Sequence, residues 1–156
     1  MISRFTGPAG FRHLLAKLSP TTDVRGKRQS VRVVVGRRVL VVEDDDMLRA
    51  LLEDALAQLG YVVAATATRV EKAVEVAASS DFDCAILDVD LDGYSVSFVA
   101  DTLVARGMPF LFATGHGQAG LPEHHRDRPL LQKPFRIESL GRILEQVLAA
   151  KDTLYY

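Results

Sequence analysis

Two short runs of purely apolar residues, each ended by acidic residues, constrain the fold of this chain more than any other feature. The runs are Val39 to Val42, which stops at Glu43 and Asp44, and Cys84 to Leu87, which stops at Asp88. Unalternating apolar segments of this length are typical of strands that are buried on both faces of a sheet. We therefore predict two buried strands whose carboxyl ends carry acidic side chains.

Further apolar runs alternate with segments in which apolar residues recur at helical spacing. The predicted strands after the first are 61–65, 83–87, 109–113 and 130–132, and the predicted helices are 47–59, 68–78, 96–105 and 137–150. Asp45 or Asp46 can cap the first helix, and Asp92 is interpreted as a turn residue. Alternation of this kind predicts a three-layer α/β fold, with helices covering a doubly wound, five-stranded parallel sheet.

The stretch 116–129 interrupts this alternation. It has few apolar residues and contains residues that disfavour helices, namely Gly117, Gly120, Pro122 and Pro129. We therefore expect a short or mobile segment where a full fourth helix would otherwise stand. The adjacent His124 and His125 lack acidic or Cys partners at ligand spacing, so we interpret them as loop residues rather than metal ligands.

Composition and charge divide the chain unequally. Residues 1–38 carry nine Lys or Arg against Asp23 alone, whereas residues 39–156 carry ten against nineteen acids. We predict a basic, mobile N-terminal extension over 1–36, one domain over 37–150 and a short tail over 151–156. The extension has some helical spacing of apolar residues, but we do not expect it to contact a membrane. Val31 to Val35 could add a strand.

Several classes of protein are disfavoured by the sequence. Cys84 is the only cysteine and lies in a predicted buried strand, so no internal disulfide can form, and a cytoplasmic location is expected. No apolar run approaches the roughly 18 residues of a membrane span. Specific nucleic-acid binding is not expected, because the domain is acidic and no helix-turn-helix follows Ala150.

The residues at the predicted strand ends suggest a phosphoryl-accepting site. Because the carboxyl ends of parallel strands meet at one edge, Glu43, Asp44 and Asp88 are expected to lie together. Each unscreened pair of carboxylates costs roughly 4 kcal/mol at about 4 Å and an effective dielectric constant near 20, so the cluster needs a cation. Mg²⁺ prefers such oxygen ligands. Lys133 would add a positive charge for a phosphoryl group on Asp88, and Thr114 a hydroxyl donor.

Four motifs, in this order, resemble the receiver domain of two-component response regulators. They are V-L-V-V-E-D-D, A-I-L-D-V-D-L-D-G, F-A-T-G and K-P-F, and the similarity covers about residues 37 to 150. The resemblance implies a flavodoxin-like sheet of strand order 2-1-3-4-5 and Mg²⁺ as cofactor. It also implies these roles: Asp88 as phosphoacceptor, Glu43 and Asp44 as the acidic metal-binding pair, Asp90 as a metal ligand through its backbone carbonyl, Thr114 as the switch hydroxyl and Lys133 as the phosphate-binding lysine. The bond before Pro134 is usually cis in the family.

A narrower resemblance concerns the fourth strand. Residues 109–115 match the P-F-x-F-A-T-G signature of a group of mostly single-domain regulators. This similarity implies a stand-alone receiver, monomeric or weakly dimeric, and not an enzyme acting on other molecules. Its phosphoryl donor would be a sensor histidine kinase, for which the HWE type is one candidate class, or a histidine phosphotransfer protein.

The chain departs from the family at two places. The loop after Asp88 is shorter than the common form and lacks its proline, so its path around the metal is open. Leu130 stands where many receivers have an aromatic switch residue. A relay from Thr114 to an aromatic side chain is therefore not expected.

Two other functions remain open from the sequence. The motif I-L-D-V-D also resembles the nucleophile motif of haloacid-dehalogenase-type phosphatases. That family places its nucleophile on the first strand and an acidic pair after the lysine, whereas here the pair precedes Asp88. The second alternative is a receiver-like module that binds proteins without ever taking phosphate.

Overall fold

The computed structural model describes residues 36–153, so the predicted extension lies outside the described residues except for Gly36. The strands, in chain order, are β1 (Arg38–Val42), β2 (Val62–Ala67), β3 (Cys84–Asp88), β4 (Asp90–Leu91), β5 (Tyr94–Ser95), β6 (Phe110–Thr114) and β7 (Leu130–Gln132). The α-helices are α1 (Asp46–Gln58), α2 (Val70–Ser79), α3 (Ser97–Ala105) and α4 (Ile137–Thr153). Helix α4 continues three residues past its predicted end.

Five of the strands form one parallel sheet, in the order β2-β1-β3-β6-β7. Counted along the chain without the separate β4–β5 hairpin, this is the predicted order 2-1-3-4-5, which is confirmed. The register places Val42 beside Leu87 and Asp88 beside Ala113. The carboxyl ends of β1, β3 and β6 therefore lie at the same edge of the sheet.

The sheet is buried on both faces, as its unalternating strands predict. Leu40 and Val42 belong to one apolar layer, which includes residues of α2 and α3. Val39 and Val41 belong to the other layer, which includes residues of α1 and α4. All four side chains are at most 1% exposed, so the site at the end of β1 is supported by a fully buried strand.

Helix α1 begins at Asp46, the last of the four acidic residues that follow β1. The Asp45 side chain caps it by accepting a hydrogen bond from the Leu48 backbone N–H at 2.9 Å. Met47 and Leu51 follow the apolar spacing of this helix but are 75% and 53% exposed. Among residues 36–153, none of the helices combines the length and the apolar character that crossing a membrane requires.

The connection between β6 and β7 contains no α-helix. It forms two short 3₁₀ turns, Gly117–Gly120 and Glu123–His125, so the predicted short segment is confirmed, while its mobility stays a prediction. Leu121, which is 4% exposed, and His125, which is 5% exposed, anchor this connection. The imidazole Nε2 lies 2.8 Å from the Asp101 carboxylate of α3, and the ring packs edge-on against Phe110 at 5.9 Å between ring centroids.

Replacing His125 by alanine is expected to lower the free energy of unfolding by about 2 kcal/mol, because both an aromatic contact and a hydrogen bond are lost from a buried site. Urea unfolding followed by circular dichroism measures this loss. Hydrogen exchange should accelerate across 116–129. His124→Ala is the matched control, because His124 is exposed and its removal should change stability by less than about 0.5 kcal/mol. Equal effects of the two substitutions would contradict the anchoring role.

Candidate metal and phosphoryl site

Three carboxylates meet at the edge of the sheet where β1 and β3 end. One oxygen from each of Glu43, Asp44 and Asp88 lies within 4.8 Å of the other two. Glu43 is 1% and Asp88 8% exposed, while Asp44 is half-buried. The parallel pairing of β1 with β3 produces this cluster, because it brings the residues that follow Val42 and Leu87 side by side.

Lys133 reaches the same cluster from the end of β7. Its Nζ lies 2.6 Å from Glu43 Oε2 and 3.4 Å from Asp88 Oδ1. Its backbone N–H donates to the Thr114 carbonyl at 2.9 Å, and the bond to Pro134 is cis. The backbone hydrogen bond to Thr114 holds the lysine beside β6, while its ammonium group neutralises part of the charge of two buried carboxylates.

Glu43 is held in place by the first turn of α1. Its Oε1 accepts the Asp45 backbone N–H at 3.1 Å, and its carbonyl accepts a hydrogen bond from the Arg49 guanidinium at 3.3 Å. Its other carboxylate oxygen faces Lys133. Both carboxylate oxygens therefore have donors, which explains how an acid this deeply buried is satisfied.

Burial raises the pKa of Asp88 from 3.8 to about 6. The positive charge of Lys133 lowers the pKa and the negative charge of Glu43 raises it, while the Asp90 backbone N–H, 3.4 Å from Asp88 Oδ1, favours the ionised form. The loss of hydration outweighs the single nearby cation. Because this pKa lies below 7, the Asp88 carboxylate is nevertheless mostly ionised at pH 7.

Thr114 ends β6 and is 3% exposed. Its Oγ1 accepts the His116 backbone N–H at 3.1 Å. Gly120 packs closely behind it, since a Cβ on Gly120 would lie 3.0 Å from His116 Cβ and 3.5 Å from Thr114 Oγ1. An open cavity of about 430 Å³ adjoins these residues, and Asp90 also lines it. The surroundings of Thr114 therefore extend into the 3₁₀ turn that follows β6.

Sequence reasoning missed two features of the site. Gln132 Nε2 donates to the carbonyls of Gly115 and Lys133, at 3.0 and 3.3 Å, and so ties the loop after β6 to the lysine. The segment after Asp88 forms a β-hairpin that contacts Asp44 through the Asp92 backbone N–H. The Asp92-Gly93 pair, a common two-residue hairpin turn, was the signal for the second feature.

The predicted site residues are thus found at one edge. Glu43, Asp44 and Asp88 lie within reach of one another, and Lys133 forms ion pairs with Glu43 and Asp88. Thr114 ends the strand that pairs with the strand of Asp88. Asp90 reaches Asp88 with its backbone N–H, and its own carboxylate accepts from Gly93. A group of three carboxylates, two buried and one half-buried, fits a hard divalent cation such as Mg²⁺.

Residues 39–145 match the family model of the response regulator receiver domain. The chain belongs to the response regulator receiver family. Receivers of this family are generally signalling modules without catalytic action on other molecules, and they typically bind Mg²⁺ at an acidic pocket. Glu43, Asp44 and Asp88 form an acidic group in this receiver.

Individual relatives agree with the family model. The transcriptional regulatory protein PdtaR of Mycobacterium tuberculosis is 34% identical over 133 residues, covering 81% of this chain and 60% of PdtaR. The chain thus spans about three-fifths of that relative. The solution structure of SdrG from Sphingomonas melonis Fr1 is similar with a TM-score of 0.65 at 37% identity, covering 72% of this chain and 96% of SdrG. The BeF3-activated conformation of SdrG from Pseudomonas melonis Fr1 gives a TM-score of 0.62 at 38% identity, covering 71% and 95%.

Proposed function

We propose that this receiver accepts a phosphoryl group on Asp88 from a phosphohistidine, in a reaction that depends on Mg²⁺. The observation that carries the proposal is the position of Lys133, whose Nζ is 3.4 Å from Asp88 Oδ1 inside a group of three carboxylates. A purely structural ion pair would not need two further acids at the same place, because they repel one another. A site that receives a phosphoryl group with its metal needs all four residues.

The phosphoryl transfer requires no reactant other than the phosphohistidine donor and Asp88. An oxygen of Asp88 attacks phosphorus as the bond to the donor's imidazole nitrogen breaks, and the imidazole leaves with the electron pair and takes up a proton. Mg²⁺, when bound, neutralises charge on the phosphoryl oxygens, and Glu43, Asp44, Asp88 and the Asp90 carbonyl are the groups that we propose would hold it. Lys133 provides the second cation at the site.

Thr114 would carry the phosphorylated state into the neighbouring segment. Its hydroxyl oxygen accepts the His116 N–H, and its hydrogen remains to be donated to a phosphoryl oxygen. Because Gly120 is packed against both Thr114 and His116, a reorientation of this hydroxyl would displace the turn at 117–120. We propose this segment as the part of the surface that differs between the two states.

The phosphoryl donor that we propose is a sensor histidine kinase, for instance of the HWE type, or a histidine phosphotransfer protein. The resemblance of residues 109–115 to the P-F-x-F-A-T-G signature supports the kinase class. The signal would leave by protein contact or by onward transfer from Asp88. The cytoplasm is the proposed location.

Intact-protein mass spectrometry after incubation with acetyl phosphate and Mg²⁺ tests the proposal. The expected result is a gain of one phosphoryl group that is lost in EDTA and in Asp88→Asn. Asp81→Asn is the matched control, because Asp81 is an exposed acid that pairs with Arg38 at the start of β1, and it should leave the gain unchanged.

Other outcomes would point to the alternatives. No adduct with acetyl phosphate, and none with a phosphorylated kinase, would favour a receiver that binds partners without phosphate. Continuous release of phosphate with turnover would favour a phosphatase. Beryllofluoride with Mg²⁺ is an independent probe, because it binds an aspartate carboxylate and imitates a tetrahedral phosphoryl group. Its binding at Asp88 should shift the amide NMR resonances of residues 114–120.

A further inference from the structure

The segment that follows Asp88 is a β-hairpin with the shortest common type of turn. Asp90 pairs with Ser95 and Leu91 with Tyr94, so two residues connect the strands. Asp92 has a φ of 53° and Gly93 a φ of 80°. Positive φ at both central residues is what a type I′ turn requires, and Asp followed by Gly is one of its preferred sequences. This turn settles the path of a loop whose length departs from the common receiver pattern.

The hairpin is attached both to the core and to the carboxylate group. Leu91 is 1% exposed and belongs to the apolar layer that includes α2 and α3. At the turn, the Asp92 backbone N–H donates to Asp44 Oδ2 at 2.8 Å, and the Gly93 N–H donates to Asp90 Oδ1 at 2.9 Å. The hairpin is thus anchored in the apolar core through Leu91, and its turn donates a hydrogen bond to the Asp44 carboxylate.

Asp44 depends on this contact more than its two neighbours do. Lys133 forms ion pairs with Glu43 and Asp88, and among residues 36–153 no ion pair of Asp44 is found. The hydrogen bond from Asp92 therefore offsets the repulsion that Asp44 experiences from the other two acids. It also fixes Oδ2, which orients the remaining oxygen of the Asp44 carboxylate.

We propose that the Asp92-Gly93 turn is a positioning element for Mg²⁺, which sets both the affinity of the site and its preference for Mg²⁺ over Ca²⁺. This inference rests on the proposed metal site at Glu43, Asp44 and Asp88. Removing a hydrogen bond to a metal-ligating carboxylate typically lowers metal affinity by about 10- to 100-fold. Neither Asp92 nor Gly93 contributes a side-chain ligand, so the effect is carried by the backbone.

The preference between cations follows from rigidity. Mg²⁺ demands near-octahedral geometry with short bonds, whereas Ca²⁺ accepts more ligands in flexible arrangements. A carboxylate that is fixed at one oxygen favours the more demanding ion. If the turn is disturbed, Asp44 can still reach a cation but is no longer held, and affinity for Mg²⁺ should fall more than affinity for Ca²⁺.

Gly93→Val tests the proposal, with Gly93→Ala as a milder second variant. No atom lies within 4 Å of a Cβ placed on Gly93, so the substitution acts through the positive φ and not through a clash. Isothermal titration of the purified protein with Mg²⁺ and with Ca²⁺ gives the two dissociation constants. For Gly93→Val we expect the Mg²⁺ constant to rise about tenfold or more and the Ca²⁺ constant about threefold or less.

Two control variants distinguish an effect of the turn on metal binding from general destabilisation and from a change in charge. Gly107 has a φ of 64° and open space at its Cβ, but it follows α3, so Gly107→Val should leave both constants unchanged. Asp92→Asn keeps the backbone N–H and tolerates positive φ while removing a charge, so it should change the constants by less than about threefold, in proportion for both ions.

The outcomes distinguish this inference from the proposed function. If the wild-type protein binds Mg²⁺ and Gly93→Val and Gly93→Ala bind it equally well or more tightly, the positioning role is overturned and the metal site stands. Tighter binding would mean that the Asp92 N–H competes with the ion for Asp44. If the wild-type protein itself does not bind Mg²⁺, the metal site fails and this inference fails with it.

Discussion

Replacing Lys133 by methionine is expected to lower the free energy of unfolding of the metal-free protein by about 3 kcal/mol at pH 7. The lysine side chain is only 14% exposed, and its Nζ is 2.6 Å from Glu43 and 3.4 Å from Asp88. Methionine keeps most of the volume and removes the charge, which leaves two buried carboxylates without their cation. Urea unfolding in EDTA, followed by circular dichroism, measures the change.

A surface pair provides the matched control for this substitution. Lys72 pairs with Glu75 on α2, and both side chains are more than half exposed, so Lys72→Met should cost less than about 0.5 kcal/mol. Combining Lys133→Met with Glu43→Gln should recover part of the loss, because one uncompensated charge is then removed. A loss for Lys133→Met no larger than that for Lys72→Met would mean that the cluster is solvated well enough to need no internal cation.

The same substitution tests the proposed function through a different measurement. Without the ammonium group, phosphoryl transfer from acetyl phosphate to Asp88 should slow by at least about tenfold, even with saturating Mg²⁺, because one of the two cations at the site is missing. Folded protein at low temperature is required for this comparison, since the variant is destabilised.

Most of the fold and the central part of the site were predictable, because they depend on local patterns. Apolar runs such as Val39 to Val42 have few alternatives to a buried strand, and parallel strands must place their carboxyl ends at one edge. Once the order of the strands is known, the meeting of Glu43, Asp44 and Asp88 follows from chain connectivity. The Asp45 cap was likewise visible, since it depends on residues three apart.

The parts that sequence reasoning could not supply depend on contacts between distant residues. Nothing in the sequence distinguishes His124 from the adjacent His125. Of the two, only His125 is buried, because its ring contacts Phe110 and Asp101. Met47 is a similar case, because it follows the regular apolar spacing of α1 and yet is exposed. How much of an apolar helix face is buried depends on which elements pack against the helix. The link between Gln132 and Gly115 also joins residues 17 positions apart.

The stability of the metal-free protein should fall as the pH rises from about 4 to 7, and Asp88 is the reason. Its pKa is about 6 in the folded protein against 3.8 for an ordinary aspartate. Between these values the folded state holds a proton that the unfolded state has released, so raising the pH favours unfolding. Below 3.8 both states are protonated and the effect vanishes, whereas above 6 both are ionised and the effect is complete.

Asp88→Asn isolates this contribution, because asparagine imitates the shape of the protonated acid and does not titrate. In EDTA the variant should be nearly as stable as the wild-type protein at pH 4 and more stable by up to about 3 kcal/mol at pH 7. Groups distant from Asp88 contribute equally to both curves, so the difference between the curves reports Asp88 and its interactions with Glu43 and Lys133. Saturating Mg²⁺ should shrink the gap at pH 7, since an ion that binds only the folded state stabilises the protein with the intact ligand set. A difference that stays constant from pH 4 to 7 would show that the pKa of Asp88 is the same in the folded and unfolded states, so that folding does not dehydrate its carboxylate. A difference that rises with pH would show that burial opposes ionisation of Asp88, and a bound metal ion or phosphoryl group would then relieve part of that cost.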